Sequence, residues 1–435
     1  MMAADRLYSC SAVRLDKSPR LFSRSIDRIA LIGNFLPRLC GLATFTSDVY
    51  AAMRSRFPAI AVDVYAMNDP GRSYAYPAAV KFSIDHDKPF TYLTAGNRIN
   101  ASAPDVVWLQ HEFGIFGGPA GKYILALLNS VTAPVAVTLH TVLETPSAEQ
   151  REVMDGLIDR ASVLIVMARK AKEILQRVYA VPSAQIAVIE HGVPDRPFTE
   201  PADAKAGLGL AGHDVIMTFG LLSPGKGIES MINALPSIIA AKPDLLYLIV
   251  GATHPHLIAH EGEAYRDRLK ARAMELGVAD HIRWVNRFIS HDELMDYLAA
   301  ADIYVTPYLN PAQITSGTLS YALALGKAIV STPYIHAVEL LEGAHGVLVD
   351  FEDSKGLARE MTRLLLNPAQ RNTLRGKAYT HGRGMIWPRF AERSLNVLKA
   401  IAPTERLALA DESTNPSRAE SCFEGPPADL QEEVA

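Results

Sequence analysis

Residues 302–339 read DIYVTPYLNPAQITSGTLSYALALGKAIVSTPYIHAVE, and the way this stretch parses decides the fold class. Ile303–Thr306 is a short apolar run rich in β-branched residues, the mark of a buried strand. A Pro/Asn/Gln loop follows. Thr315, Ser316, Gly317 and Thr318 then open a helical stretch that carries Leu319, Leu323 and Ala324 along one side. Gly326 stands where a helix C-cap belongs, and Ala328–Ser331 reads as the next strand. The unit is strand, loop, helix, strand, with small polar residues at the helix entrance. Backbone N–H groups left free there suit an anion such as a nucleotide phosphate.

The same alternation extends in both directions. Upstream, strands are predicted at 28–33, 60–65, 105–110, 135–139, 163–167 and 186–189, with helical stretches at 44–56, 122–128 and 169–178 among them. Gly192-Val193-Pro194-Asp195-Arg196-Pro197 then breaks the pattern, and a second series follows at 215–219, 245–250, 282–285, 303–306, 328–331 and 346–349. The fold class is therefore α/β, with two parallel sheets and a boundary near 192–212. The organisation expected is a disordered extension (1–25), a Rossmann-like domain (26–195), a linker (196–211), a second Rossmann-like domain (212–384), a helix (385–402) and a disordered tail (403–435).

Composition narrows the function classes. The 435 residues include 43 Lys+Arg and 47 Asp+Glu, a formal net charge of -4, so no basic surplus favours a nucleic-acid partner. Cys10, Cys40 and Cys422 are odd in number and far apart, offering neither a disulfide framework nor zinc spacing, which points to a reducing, cytoplasmic setting. No apolar run approaches the roughly 18 residues of a bilayer span, and the first 25 residues lack the apolar core of a secretory signal. Peripheral membrane attachment stays open.

Sheets of this kind bind ligands at the carboxyl ends of their strands. The polar residues there are His111-Glu112, His140-Thr141 and Glu190-His191. After the first strand, Gly41 can permit close approach of a ligand, and Thr44 can cap the helix that follows. The spacing is not that of a dinucleotide fingerprint. In FGLLSPGKG (219–227), Lys226 stands at a helix entrance between two glycines, a fixed cation of the kind a diphosphate leaving group needs. An exposed lysine in a Gly/Pro turn is the plainer alternative, as a satisfied half-buried side chain is for His140. His254, His256 and His260 read as a solvated loop, and no metal site is expected. Glu144, Glu149 and Glu152 read as a solvated helix start.

FGLLSPGKGIE, HIRWVNRFISHDELMDYLAAADIYVTPY, SGTLSYALALGKAIVSTPY and GVLVD, in that order, resemble the GT4 family of retaining glycosyltransferases. The likeness is close over most of 215–367 and looser over 28–194, through Gly41, TLHT at 138–141 and the strand ending EHGVP. The resemblance implies a GT-B architecture, with a donor half (212–384), an acceptor half (26–195) and a C-terminal helix crossing back. It implies transfer of a hexose from a GDP- or UDP-sugar to a sugar, lipid-linked or small-molecule acceptor, with no metal or other cofactor required. Lys226 matches the lysine that holds the diphosphate, His140 the histidine at the donor sugar, and Gly41 the glycine loop.

Ser316, Gly317 and Thr318 match the donor-binding helix start. The family's two glutamates fall on Gln313 and Tyr321, and its arginine falls on Leu221. Gln313 keeps an oxygen for sugar hydroxyls, and Tyr321 offers one phenol toward the ribose. His336 and Glu339 are candidates to line the donor pocket, with ordinary loop roles as the alternative. His111 and Glu112, in HEFGIFGG, are candidates for the acceptor side. Two alternatives to the transferase stand: a non-catalytic sugar-nucleotide-binding scaffold, and a sugar phosphorylase or epimerase.

Overall fold

The structure, a computed structural model, describes residues 25–403. The disorder expected at the two ends falls outside that range, but for one residue at each.

Two parallel sheets organise the described chain. The first is built from β1 (Arg28–Gly33), β2 (Ala61–Asn68), β3 (Val80–Asp85), β4 (Val106–His111), β5 (Val135–Leu139), β6 (Val163–Val166) and β7 (Ile186–Val188), in the order β3-β2-β1-β4-β5-β6-β7. The second contains β8 (Asp214–Phe219), β9 (Leu245–Val250), β10 (Ile282–Val285), β11 (Ile303–Thr306), β12 (Ala328–Ser331) and β13 (Val347–Leu348), in the order β10-β9-β8-β11-β12-β13. Every pairing is parallel, with β1 set against β2 from Arg28↔Ala61 and against β4 from Ile29↔Val106.

Burial on both faces explains the unbroken apolar strands. In the first sheet Ala30, Ile32, Val107 and Leu109 enter one core and Ile29, Leu31, Val106 and Trp108 the other. Ile216, Tyr247 and Ile303 divide in the same way from Val215, Leu246 and Tyr304 in the second sheet. The helix Trp387–Ile401 buries Phe390, Leu395 and Leu398 in a core of the first sheet. Each such side chain contributes about 1.5–3 kcal/mol toward holding the C-terminal segment there.

Strand order reverses beside β1 and β4 in one sheet, and beside β8 and β11 in the other. At such switch points neighbouring loops diverge and leave a crevice. His111 ends β4, Gly41 begins the helix after β1, and the segments leaving β8 and β11 carry Lys226 and Tyr308.

Three local features differ from the sequence expectations. The helix read from Thr44 starts at Gly41, and its cap is Cys40, whose Sγ accepts from Ala43 N at 3.4 Å. Residues Pro255–Glu261 form a short helix rather than a loop. The edge strand β3 and the helix Pro89–Ser102 were not expected: β3 is half-exposed and alternating, and Gly96 interrupts the helix pattern. No helix among the described residues is long and apolar enough to cross a membrane.

Candidate active site

The loop after β8 places Lys226. It makes a single 3-10 turn, Pro224–Lys226, and Gly227 follows with φ +61°. A Cβ on Gly227 would stand 1.9 Å from the Pro307 carbonyl oxygen, so only glycine lets this loop close onto the end of β11. Lys226 Nζ then lies 3.9 Å from the centre of the Tyr308 ring, a cation–π contact. Tyr308 stacks on Tyr334 with centroids 5.4 Å apart, and its hydroxyl is 2.8 Å from Thr318 Oγ1. The lysine and the start of the helix Gly317–Ala324 therefore share one tyrosine.

Ser316 caps that helix, accepting from Leu319 N at 3.3 Å. Its own N–H donates to His336 Nδ1 at 2.8 Å, which leaves the proton of this imidazole on Nε2. His336 is buried, and burial pushes its pKa down to about 3, so the ring stays neutral. Gly317 and Thr318 head the helix, where N–H groups have no carbonyl one turn back.

The other half meets this helix start through His191. His191 Nδ1 is 2.7 Å from the Gly192 carbonyl oxygen and must donate to it, so Nε2 carries the lone pair. That Nε2 would be 2.9 Å from a Cβ placed on Gly317. Phe45, on the helix Gly41–Arg56, touches His191 edge to face at 4.8 Å and His140 at 4.8 Å. His140 Nε2 lies 3.2 Å from Gln110 Oε1, and burial together with the neighbouring histidines 191 and 111 brings its pKa to about 3. His191 is lowered to about 4 by burial. A continuous set of contacts thus runs from His140 through Phe45 and His191 to Gly317 and Thr318, then through Tyr308 to Lys226. With the three imidazoles neutral, Lys226 is the cation of this set, aided by the partial positive charge of the helix start.

Gly41 is exposed at the first position of the Phe45 helix, with no atom within 4 Å of where its Cβ would be, so a ligand can approach the backbone closely. Other candidates are occupied differently. Tyr321 donates its hydroxyl to Asp48 Oδ2 at 2.9 Å, across to the Phe45 helix. Gln313 Nε2 donates to the Thr315 carbonyl at 3.1 Å. Glu112 accepts from Thr141 Oγ1 at 2.6 Å and from Phe113 N, and burial raises its pKa. His111 is fully buried between Phe113 and Phe116, with neither ring nitrogen bonded. Glu339 accepts from the backbone N–H groups of Arg169 and Lys170 in the other half.

His191, Phe45, Tyr308 and Asp48 join the site although the sequence did not single them out as site residues. For His191 a signal existed, since it ends a strand at the same sheet edge as His111 and His140. Among the described residues no group of three His, Cys, Asp or Glu could hold a metal ion.

Two facing parallel-sheet domains with a site at their switch points define a GT-B fold. Residues 203–381 match the family model of glycosyl transferases group 1. The chain is 26% identical over 343 residues to the D-inositol 3-phosphate glycosyltransferase of Actinosynnema mirum, spanning 75% of this chain and 76% of that protein. It is 28% identical over 197 residues to the GDP-mannose-dependent monoacylated alpha-(1-6)-phosphatidylinositol monomannoside mannosyltransferase of Corynebacterium glutamicum, spanning 43% of this chain and 47% of that protein. The fold resembles Anabaena HepE in complex with UDP, with a TM-score of 0.67 at 16% identity over 86% of this chain and 100% of that one. It resembles equally the sucrose-phosphate synthase of Thermosynechococcus elongatus, with a TM-score of 0.67 at 18% identity over 86% and 98%. Residues 203–381 are thus similar to glycosyl transferases group 1, and the fold of the described chain is GT-B.

Proposed function

We propose that this protein moves a hexose from a GDP- or UDP-linked sugar to a sugar, lipid-linked or small-molecule acceptor, with retention at the anomeric carbon and without a metal. The observation that carries the reading is the convergence of Lys226 with the start of helix 317–324, facing His140 and His191 from the other half. The name of the Corynebacterium glutamicum relative, a GDP-mannose-dependent mannosyltransferase, supports a sugar-nucleotide donor.

In this reading, residues 212–384 bind the donor, 26–195 the acceptor, and 385–402 tie the two together. Lys226 and the amides of Gly317 and Thr318 offset charge as the diphosphate leaves; one such donor is worth about 3–4 kcal/mol, a hundredfold to a thousandfold in rate. His140, neutral above about pH 3, contributes hydrogen bonds to the donor sugar rather than charge. Gly41 lets the helix 41–56 approach the phosphates. The departing phosphate takes the acceptor proton, so no carboxylate base is assigned.

A second reading, a sugar-nucleotide-binding scaffold without turnover, is favoured by Tyr321 and Gln313. The Tyr321 hydroxyl is bonded to Asp48 and the Gln313 amide NH2 to the Thr315 carbonyl, both within the protein. Incubation with a panel of UDP- and GDP-sugars, in buffer with and without EDTA, separates the two. Release of the nucleoside diphosphate at equal rates in both buffers, with an α-product from an α-donor by NMR, supports the transferase. Tight binding with no release from any donor, across a panel of acceptors, overturns it in favour of the scaffold.

A further inference from the structure

The helix Arg169–Tyr179 begins without a cap of its own. Its N-cap residue is Ala168, which has no side-chain acceptor to offer the first amides. Glu339 supplies the acceptor from the other half of the molecule. Its Oε1 accepts from Arg169 N at 2.7 Å and its Oε2 from Lys170 N at 3.1 Å. The Arg169 guanidinium adds ion pairs to Glu339 at 3.4 Å and to Glu342 at 2.7 Å. The Glu339 side chain is 20% exposed, against 65% for Arg169 and 70% for Glu342. The shielded element is the carboxylate on two backbone amides; the ion pair at the rim is solvated and screened.

Glu339 rides on the short helix Ile335–Leu340, and the same helix holds the candidate donor site. His336, one turn back, takes the Ser316 amide on its Nδ1. Tyr334, the residue before the helix, stacks on Tyr308, over which Lys226 lies. One rigid piece of fewer than two turns therefore touches the opposite half through Glu339 and the donor site through His336 and Tyr334. A side chain so placed couples the approach of the halves to the geometry of the helix start at 317.

We propose that Glu339 is a positioning residue: by capping helix 169–179 across the crevice, it holds helix 335–340 where His336 and Tyr334 orient the Ser316–Thr318 amides and Lys226 for a nucleoside diphosphate. Only the identity of that ligand rests on the functional reading above; the coupling itself does not.

Hydrogen exchange on the full chain, read in peptides covering 167–172 and 314–320, tests the coupling without any ligand. Glu339→Ala should exchange about tenfold faster than wild type in both segments, the loss of a helix cap being of that size. Glu342→Ala and Arg169→Ala keep the carboxylate-to-amide bonds and should leave 314–320 within twofold. Acceleration confined to 167–172, or none, overturns the proposal. Should Glu339→Ala not fold, Glu339→Gln, which keeps one acceptor, is read by the same two peptides and the same criterion. Titration with UDP and GDP adds the functional arm: the Kd of whichever binds wild type should weaken at least tenfold in Glu339→Ala. If wild type binds neither while both segments accelerate together, the coupling stands and the sugar-nucleotide reading falls.

Discussion

Tyr321→Phe removes one hydroxyl and leaves a half-buried carboxylate, that of Asp48, short of a donor. The Tyr321 hydroxyl reaches Asp48 Oδ2 at 2.9 Å from a ring that is 7% exposed. Burial raises the Asp48 pKa, while the Tyr321 hydrogen bond and the charge of His291 pull it back down. A folded pKa above the unfolded value gives stability that is complete at low pH and lost as pH rises through the folded pKa. Without the hydroxyl that pKa climbs further, so the variant loses more than wild type as the carboxylate ionises. The expected cost is about 1–2 kcal/mol near pH 8, the penalty for an under-bonded, half-buried charged group, and a small fraction of that near pH 4. Urea unfolding at the two pH values, followed by tryptophan fluorescence, measures the difference. Asp48→Asn keeps an acceptor but cannot ionise, so in that background the pH dependence of the Tyr321→Phe cost should vanish. An equal cost at both pH values, or one below about 0.5 kcal/mol near pH 8, would refute the account of this pair.

Gly317→Ala puts a methyl 2.9 Å from Nε2 of a histidine pinned by Gly192 and packed on Phe45. It should destabilise by about 1–3 kcal/mol, and a double-mutant cycle with His191→Ala should recover most of this; additive costs would place the clash elsewhere. Acid should unfold the protein steeply. His111, His140 and His336 are held at about 3 and His191 at about 4, all below the unfolded value, so their contribution is present above the unfolded pKa and fades as pH falls from about 6.5 toward about 3. The linkage slope near pH 5 should approach four protons taken up per molecule; a slope near zero would mean these rings are already protonated in the folded chain.

The strands were legible because parallel strands buried on both faces are written as unbroken apolar runs, as in LLYLIV of β9. The helix start at Ser316 and the glycine-flanked Lys226 were legible because a cap and a close backbone approach each demand particular residues. The edge strand β3 escaped because VKFSID is only partly buried and carries no such run. The helix Pro89–Ser102 escaped because Gly96 weakens its pattern, and the reason for that glycine lies elsewhere: a Cβ there would stand 1.9 Å from Ser130 Oγ. Long-range partners were out of reach in principle. Tyr321 meets Asp48 273 residues away, and Glu339 caps a helix whose start lies 170 residues before it, at an alanine that looks like no cap at all. The phenol read as facing a ribose and the carboxylate read as lining the pocket both answer to neighbours that only the folded chain brings near.

The most direct measurement is the rate of nucleoside diphosphate release from the preferred sugar nucleotide, compared between wild type and Lys226→Ala. Lys226 touches the face of Tyr308 and makes no ion pair among the described residues, so its removal should leave the melting temperature nearly unchanged. The account predicts a fall in kcat/KM of about a hundredfold to a thousandfold. Release within a few-fold of wild type, from a folded variant, would contradict it.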